Sequence, residues 1–484
     1  MKGNISVKIV VTAICLLLLY ACEKTPNPNY LPQNLATDKE APWETTIYSI
    51  SEMEQFFTHI NYTSLSSIYI STTGNDESGD GSLSNPYQTL KFTLREKATP
   101  GTIIRVKAGT YVEEVINVET YATKENPIVI YSEDGVGAAI IDGNNATENL
   151  IVLTGQHIVV DGFEIKNCSG YGIGIFPSYD ADEPEKDSYC VVRNNIIHHT
   201  GRDAVKSAHI NFLLVENNDI SQVQHLIQYD DCIDGVAVYH SICRFNYLHD
   251  NGPGTGGYFK GGSANNIWYN NLIENCGEAA DYETNGAGLN IGGWGRFSWR
   301  DNAWYEYPSG YEQLVFNNVF INCEMAGITI GASQKSQIFN NSFYNCGYNK
   351  THSGSGAIIR VPEPNNVSSG DIDIFNNVVY NEASHPFVQF YKDLAKDSPT
   401  AIIRHGYNTI YSEGASIRWG YPDLAAASEE IANPLFANPS AKDLTLMSTS
   451  PAIDSGLSLW QVLFDYNMNS RPTGTQYDRG AYEQ

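Results

Sequence analysis

A recurring asparagine phrase in the middle of the chain constrains the fold more than any other feature of the sequence. Each copy, such as "LLVENNDISQV" or "LVFNNVFINC", is a short alternating strand with an asparagine at its turn. The turn asparagines are Asn195, Asn218, Asn246, Asn271, Asn318, Asn341 and Asn377. Their separations of 23, 28, 25, 47, 23 and 36 residues indicate a basic unit of about 23 residues with insertions in two turns. Such a unit buries its apolar face only against neighbouring copies, so the repeat predicts an all-β fold, a parallel β-helix solenoid.

The residue types at the turns agree with stacking. Asparagine tolerates the left-handed conformation, and its amide can bond to the equivalent amide one turn away. Four cysteines close the same phrase, "KNC", "ENC", "INC" and "YNC", at Cys168, Cys276, Cys323 and Cys346. The sequence contains no CxxC pair, so zinc-ligand spacing is missing, and we expect these thiols to stack in the core as small apolar groups.

Both ends of the repeat region carry recognisable segments. "YISTTGNDESGDGSLSNPYQTL", followed by "GTIIRVKAGTYVEEV", resembles the entry segment of right-handed β-helix proteins of the carbohydrate-active type. "SPAIDSG" and the final "DRGAYEQ" resemble their closing turns. This resemblance covers residues 66–484 and implies a right-handed parallel β-helix with a short N-terminal cap and C-terminal closing turns. We therefore predict one domain over residues 61–484, with an insertion at 292–313.

The first residues predict where the chain resides. Residues 1–21 have a charged start, an apolar run and a small residue before Cys22, which is typical of a bacterial lipoprotein signal peptide. The run is shorter than the ~20 residues that a spanning helix needs. We predict lipidation of Cys22, a tether over residues 22–60, and an extracytoplasmic chain whose only membrane contact is a lipid anchor in a bacterial, in our interpretation outer, membrane.

The formal net charge of −26 excludes one class of partner. Nucleic-acid binding needs clustered Lys and Arg, which this chain lacks, so no nucleic-acid partner is expected. We expect a monomer. An anionic substrate is compatible with the net charge only if the site carries local positive charge.

Charged residues are concentrated unusually in residues 200–262. The segments "GRDAVKS", "QYDDCIDG" and "GGYFKGGS" fall in three consecutive turns. They contribute Asp203, Lys206, Asp230, Asp231, Asp234 and Lys260. Carboxylates at this density repel one another unless a cation neutralises them, and hard oxygen ligands suit Ca²⁺. Strand alternation predicts that Tyr258 and Lys260 point outward and Phe259 inward.

The same motifs carry a family resemblance. The D-D-x-x-D run, an aspartate one turn earlier and "FKGG" one turn later resemble polysaccharide lyase family 9, β-helix pectate lyases with a calcium site and a lysine base. The resemblance implies that Asp203, Asp230, Asp231 and Asp234 hold calcium and that Lys260 abstracts the proton. The family phrase G-x-G-F-K-L-G-G is one residue longer after the lysine, and the acidic run lies closer to the lysine here.

Two lysines compete for the role of base. Lys206 lies 12 residues before Asn218 and Lys260 lies 11 before Asn271, so their places in the turn nearly match. Lys206 is predicted to bind a substrate carboxylate or to be the base itself. Family 6 lyases, which act on alginate or dermatan, are a second resemblance, but they have an arginine one turn after the lysine, near the place where this chain has Asn290.

The insertion at 292–313 is rich in aromatic and arginine side chains. Aromatic faces stack on sugar rings and arginine forks match carboxylates, so Trp294 and Arg296 are predicted substrate contacts, together with Arg202. Packing of the loop on its own aromatics is the alternative.

The histidines near the repeat turns are interpreted as structural: His198, His199, His225, His240 and His249.

These observations predict a polysaccharide lyase that cleaves a uronic-acid polymer by calcium-assisted β-elimination. The proton beside the uronate carboxylate is removable if that carboxylate is neutralised and the lysine is uncharged. Two alternatives stay open. A glycoside hydrolase would use paired carboxylates among Asp230, Asp231 and Asp234. A surface protein that binds glycans without turnover would use the same face.

Overall fold

The computed structural model describes residues 49–57, 61–177, 187–223, 230–277, 286–293, 296–298, 303–305, 309–349, 356–362, 369–387, 389–393, 403–419 and 426–484. Two parallel sheets run the length of the solenoid, and within these ranges they have 24 and 11 strands. Two short antiparallel pairs, Arg296–Ser298 with Ala303–Tyr305 and Phe436–Asn438 with Asp443–Leu446, lie outside them. The helices of the described ranges are Ile50–Phe57 and Leu90–Glu96, with 3₁₀ turns at Tyr62–Ser64 and Pro439–Ala441.

The strands are short, as a repeat of about 23 residues requires. Those of the larger sheet are Ser66–Ile70, Thr102–Val106, Ile116–Val118, Ile128–Ser132, Ile151–Leu153, Ile158–Asp161, Ile173–Ile175, Asp187–Arg193, Val205–Glu216, Ile233–Tyr239, Ile242–Arg244, Gly257–Lys260, Ser263–Ala264, Ile267–Tyr269, Leu289–Gly292, Gly310–Tyr311, Leu314–Phe316, Ile328–Gly331, Ser333–Gln334, Gln337–Phe339, Ile359–Val361, Ile372–Phe375, Tyr391–Asp393 and Ile403–Gly406. Those of the smaller sheet are Gly109–Tyr111, Ala139–Asp142, Glu164–Cys168, Ile196–Thr200, Asp219–Ser221, Tyr247–Gly252, Leu272–Cys276, Val319–Ile321, Ser342–Tyr344, Val378–Asn381 and Thr409–Ser412.

Equivalent apolar residues pair from turn to turn, and this pairing builds the core. The register joins one inward row whose members are all buried: Ile173, Val205, Ile233, Gly257, Leu289, Ile328 and Ile359. Gly257 is required in this row, because a Cβ there would lie 2.5 Å from the ring of the buried Trp268. The predicted parallel β-helix is therefore confirmed.

The predicted asparagine stack is present as a continuous hydrogen-bonded ladder. From Asn195 to Asn377, each side-chain Nδ2 donates to the Oδ1 of the next ladder residue at 2.9–3.1 Å. The ladder continues to Asn408, which the repeat did not reveal, and ends where Asn408 donates to Glu429. We call these eight residues the asparagine ladder.

The left-handed conformation belongs to the residue before each ladder position. Asn194, Asn217, Asn270 and Asn317 have φ between +53° and +57°, and Phe245 takes the same conformation at +55°. The two consecutive asparagines of the phrase thus have different structural roles. The first residue makes the turn, and the second makes the ladder.

The cysteine prediction is confirmed. Cys168, Cys276, Cys323 and Cys346 are completely buried and form no disulfide. Burial raises the pKa of the Cys168 thiol to about 11, so this group stays protonated and apolar in character.

A second apolar layer lies outside the larger sheet. Outward residues of successive strands, among them Ile103, Val129 and Ile267, are covered by Met53 and Phe57 of the first helix and by residues of the C-terminal segment. The helix Ile50–Phe57 falls inside the predicted tether of residues 22–60, and it is ordered by this contact because its apolar face matches the sheet.

The predicted signal peptide of residues 1–21 and the lipidation site Cys22 lie outside the described residues. Within the described part of the chain, no helix combines the length and apolarity needed to cross a membrane.

Candidate active site

The charged residues of the 200–262 region lie in one sheet on neighbouring turns. The register pairs Lys206 with Asp234, and Asp234 with Tyr258. Their strand neighbours Val205 and Ile233 belong to the core, so alternation turns Lys206 and Asp234 to the outer face. Tyr258 also faces outward, as predicted. Three successive turns therefore place these side chains side by side.

Three aspartates converge at this point. Asp203, Asp231 and Asp234 each offer a carboxylate oxygen, and these oxygens all lie within 4.8 Å of one another. All three residues are buried, with 2–4% of their surface exposed. Backbone contacts orient two of them, because Asp203 Oδ1 accepts the Asp231 N–H at 2.8 Å and Asp231 Oδ1 accepts the Thr255 N–H at 3.1 Å. We call these three residues the acidic cluster.

Both predicted lysines contact the acidic cluster. Lys206 Nζ lies 3.2 Å from Asp203 Oδ2 and also contacts Asp234 Oδ2. Lys260 Nζ lies 3.1 Å from Asp234 Oδ1 and 3.9 Å from the centre of the Tyr258 ring. Two ammonium groups against three carboxylates leave one formal negative charge. We call the five charged residues together the charged cluster.

The backbone around Lys260 explains the glycines of "GGYFKGGS". Gly261 and Gly262 have φ of +67° and +92°, a conformation that other residues rarely adopt, and they turn the chain directly after the lysine. Gly261 N–H donates to Ser309 Oγ at 2.9 Å, which fixes the turn. The glycines thus set the direction of the strand that carries the amine.

Within the charged cluster, burial and the neighbouring opposite charges shift the pKa values in opposite directions. Burial raises the pKa of Asp203 and raises that of Asp231 well above its usual range. Burial also opposes the charge of Asp234, but Lys206 and Lys260 outweigh it and hold the pKa of this carboxyl below its usual value. Burial works against the charge of both lysines, yet Asp234 raises the pKa of each. Both amines are therefore ammonium groups next to an ionised Asp234.

The acidic cluster fits the ligand chemistry of a hard divalent cation such as Ca²⁺. It offers three buried carboxylates, of which Asp234 already contacts two ammonium groups, Lys206 through Oδ2 and Lys260 through Oδ1 at 3.1 Å. Nearby, Asn251 Nδ2 donates to the carbonyls of Asp230 and Thr255, while its buried Oδ1 has no hydrogen-bond partner among the described residues. Lys206 contacts two of the three carboxylates, so a cation held by all three has to displace this lysine.

Asp230, the fourth predicted calcium ligand, is not a member of the acidic cluster. Its Oδ1 lies 3.9 Å from Nε of Arg202. Burial, followed by the charge of Asp203, raises the pKa of Asp230 to about 6. The side chain of Arg202 is 44% exposed and its guanidinium lies over the Tyr171 ring at 5.0 Å. Arg202 is thus an accessible cation beside the acidic cluster, where an anionic ligand could bind.

The structure describes only some of the other residues that were predicted to contact substrate or to be structural. Trp294 and His225 lie outside the described residues. Arg296 lies in a strand paired with Ala303–Tyr305, and its side chain is outside the described part. Asn290 pairs with Tyr258 in the register and donates to Thr255 Oγ1 at 3.3 Å.

Sequence reasoning missed Thr255, whose N–H binds Asp231, and Asn251, whose Nδ2 binds the carbonyls of Asp230 and Thr255. A lone Asn or Thr in a β-helix turn carries no signal of such a role.

The histidines that are described make structural contacts. His249 binds Asp219 and Asp250 at 2.9 and 2.8 Å, and His240 contacts Asn211 at 2.8 Å.

Comparison with known proteins supports the architecture. The family model described as "Right handed beta helix region" matches residues 126–304. The chain is similar to the crystal structure of pectate lyase Pel9A, with 14% identity over 86% of this chain and 96% of that chain, at a TM-score of 0.54. XylC in complex with xylose is similar at 11% identity over 86% of this chain and 99% of that chain, with a TM-score of 0.48. No curated protein matches the chain. The right-handed parallel β-helix is confirmed, and at such low identity the likeness shows the fold alone.

Proposed function

We propose that this protein is a polysaccharide lyase that cleaves a uronic-acid polymer by β-elimination, with Lys260 as the base. The observation that carries the proposal is a lysine amine on the outer face of a β-helix, 3.1 Å from an acidic cluster that fits a divalent cation. The fold likeness to a pectate lyase supports the same reaction class. Lipid anchoring at Cys22, an extracytoplasmic location and a monomeric state belong to the proposal and rest on sequence.

Lys260 is the better candidate for the base than Lys206. The Lys260 side chain is 25% exposed and contacts only Asp234 within the acidic cluster, whereas Lys206 is 15% exposed and contacts two carboxylates. A base has to reach the substrate, and the less exposed and doubly held amine is poorly placed to do so. When no cation is bound, Lys206 instead bridges Asp203 and Asp234.

Lys260 acts as a base only in its uncharged form. Uncharged Lys260 Nζ would take the C5 proton of the uronate and become an ammonium group, the C5–H electron pair would form the C4–C5 double bond, and the C4–O bond would break. The 4-linked sugar would leave with its oxygen, which takes a proton from solvent water. Arg202 binds a substrate carboxylate. Calcium bound by Asp203, Asp231 and Asp234 would offset the charge of the substrate carboxylate and of Asp234, which favours the uncharged form of the base.

Ultraviolet absorbance of the unsaturated product tests the proposal. We expect turnover with calcium on one polymer from a panel of pectate, alginate and glycosaminoglycans, and a loss of about 10²–10⁴-fold in Lys260→Ala, the range of general-base catalysis. Lys107→Ala, which removes a lysine paired with Asp134 in an early turn, is the matched control and should keep full activity. No rise in absorbance on any uronate polymer would refute the lyase.

A glycoside hydrolase is the second candidate, and one observation favours it. Burial raises the pKa of Asp230 to about 6, while the two lysines lower that of Asp234, so one carboxyl is suited to donate a proton and the other to stay ionised. New reducing ends without ultraviolet-absorbing product, insensitive to chelator and lost in Asp230→Asn, would select this reaction. Glycan binding without any product would instead indicate a binding protein.

A further inference from the structure

A cavity of 540 Å³ lies between the first helix, the outer face of the larger sheet and the C-terminal segment. It shares no lining residue with the charged cluster. Its volume falls in the ~300–1,000 Å³ range of small-molecule sites. We call it the axial groove, because its floor follows the solenoid axis.

The floor is a row of outward residues from five successive turns. Register pairs Ile267 with Leu314, then Gln337, Asp373 and Arg404. Four inter-strand steps of ~4.8 Å make this row about 19 Å long. The groove is therefore elongated, and it suits an extended oligomer better than a compact ligand.

A second row of polar residues flanks the floor at the turn. Asn265, Glu312, Lys335 and Asp371 occupy matching left-handed positions, with φ between +48° and +56°. All four line the cavity. The solenoid thus presents one polar side chain per turn along the edge of the groove.

Several lining side chains have a buried oxygen that accepts no hydrogen bond from any described residue. Asn265 Oδ1, Glu312 Oε2 and Gln461 Oε1 are buried and have no hydrogen-bond partner among the described residues. Asn265 is only 5% exposed. A buried acceptor without a donor costs ~1–3 kcal/mol, so these oxygens favour a ligand that donates hydrogen bonds.

The charges of the groove argue against an anionic ligand. Arg404 Nε binds Asp373 Oδ1 at 2.5 Å, and the same guanidinium contacts Asp371. Glu54 is held by Arg244 at 2.8 Å. The remaining pair, Glu312 and Lys335, is balanced in charge. No excess of positive charge is therefore present among the lining residues to bind a polyanion.

The rim adds an aromatic surface. Trp460 lines the groove and is 67% exposed, beside Leu463 at 61%. Exposed tryptophan stacks on the C–H faces of sugar rings, and sugar hydroxyls are the donors that the buried oxygens need.

We propose that the axial groove binds a neutral oligosaccharide, separate from the charged cluster. Hydroxyl groups donate to Asn265, Glu312 and Gln461, and a ring of the sugar stacks on Trp460. This inference does not rest on the lyase reaction.

Titration calorimetry of the full chain tests the site with xylotetraose, cellotetraose, β-1,4-galactotetraose and tetragalacturonate. We expect saturable binding of at least one neutral tetrasaccharide. Trp460→Ala should weaken it at least about tenfold, and Asn265→Gly, which keeps the left-handed backbone, about fivefold. Tyr121→Ala, which removes an aromatic residue of similar exposure (61%) that does not line the groove, should bind like the parent chain, and so should Lys260→Ala.

Three results would overturn the proposal. One is the absence of saturable binding for every neutral probe at millimolar concentration. Another is unchanged affinity in both Trp460→Ala and Asn265→Gly, with unchanged melting temperatures that show intact folding. The third is loss of binding in Lys260→Ala, which would place the sugar at the charged cluster instead.

Discussion

The asparagine ladder and the charged cluster both stack buried polar side chains on successive turns of one solenoid. In the ladder, each interior amide donates to one neighbour and accepts from the other. At the ends, Asn195 Oδ1 accepts the Phe163 N–H and Asn408 Nδ2 donates to Glu429, so the row is satisfied throughout. In the charged cluster, three carboxylates meet two ammonium groups, which leaves one formal negative charge.

This difference in charge and hydrogen bonding indicates that the asparagine ladder has a structural role, whereas the charged cluster is able to bind a ligand. A satisfied neutral ladder has no remaining capacity for a ligand, and its effect is to fix the register of the turns. A buried cluster with unequal charge retains capacity for a cation or a substrate, and it persists because the surrounding fold holds it in place. The same periodicity therefore stacks the side chains of the asparagine ladder and of the charged cluster, and the residue type at each position decides whether the stack is neutral or charged.

The largest effect on stability is expected from removing the centre of the charged cluster. Asp234→Ala leaves Lys206 and Lys260 buried without their shared carboxylate, and this should lower the free energy of unfolding by about 3–5 kcal/mol. Urea denaturation measures it. Glu114→Ala, which breaks the exposed pair with Lys91, should leave the midpoint unchanged. An unchanged midpoint in Asp234→Ala would show that the cluster is solvated.

A slightly smaller loss is expected from breaking the ladder. Asn318 Oδ1 accepts from Asn271, and its Nδ2 donates to Asn341 and to the Trp268 carbonyl. Asn318→Ala leaves several buried groups without partners and should cost about 3 kcal/mol. The exposed Asn438→Ala serves as control. A cost below about 1 kcal/mol would mean that the ladder is dispensable for stability.

The smallest effect concerns His249 of the smaller sheet, which contacts both Asp219 and Asp250. Burial opposes the charge of His249, but Asp219 and Asp250 raise its pKa above the usual 6.5. Its contribution to stability is therefore full below pH ~6.5 and is lost as pH rises through the raised pKa. His249→Gln should flatten this slope in pH-dependent melting curves. High salt should also flatten it in the parent chain, because both aspartates are half exposed.

The match between sequence and structure differs by region. The repeat spacing predicted the solenoid, the ladder and the buried cysteines, because each depends on a local pattern repeated in every turn. The tether prediction failed to reveal the helix Ile50–Phe57, since its stability comes from the sheet it covers. The shared position of Lys206 and Lys260 was visible from spacing, but their different exposure was not.

For this protein, the sequence by itself determined the architecture and the turns on which acidic and basic residues would lie. Tertiary structure alone decided that Asp203, Asp231 and Asp234 converge while Asp230 contacts Arg202, and that Lys206 occupies the space a cation would need. It also created the axial groove from segments as distant as Asn265 and Trp460. The reason is physical: periodicity fixes which residues share a face, whereas burial and the approach of distant segments fix distances and charge states.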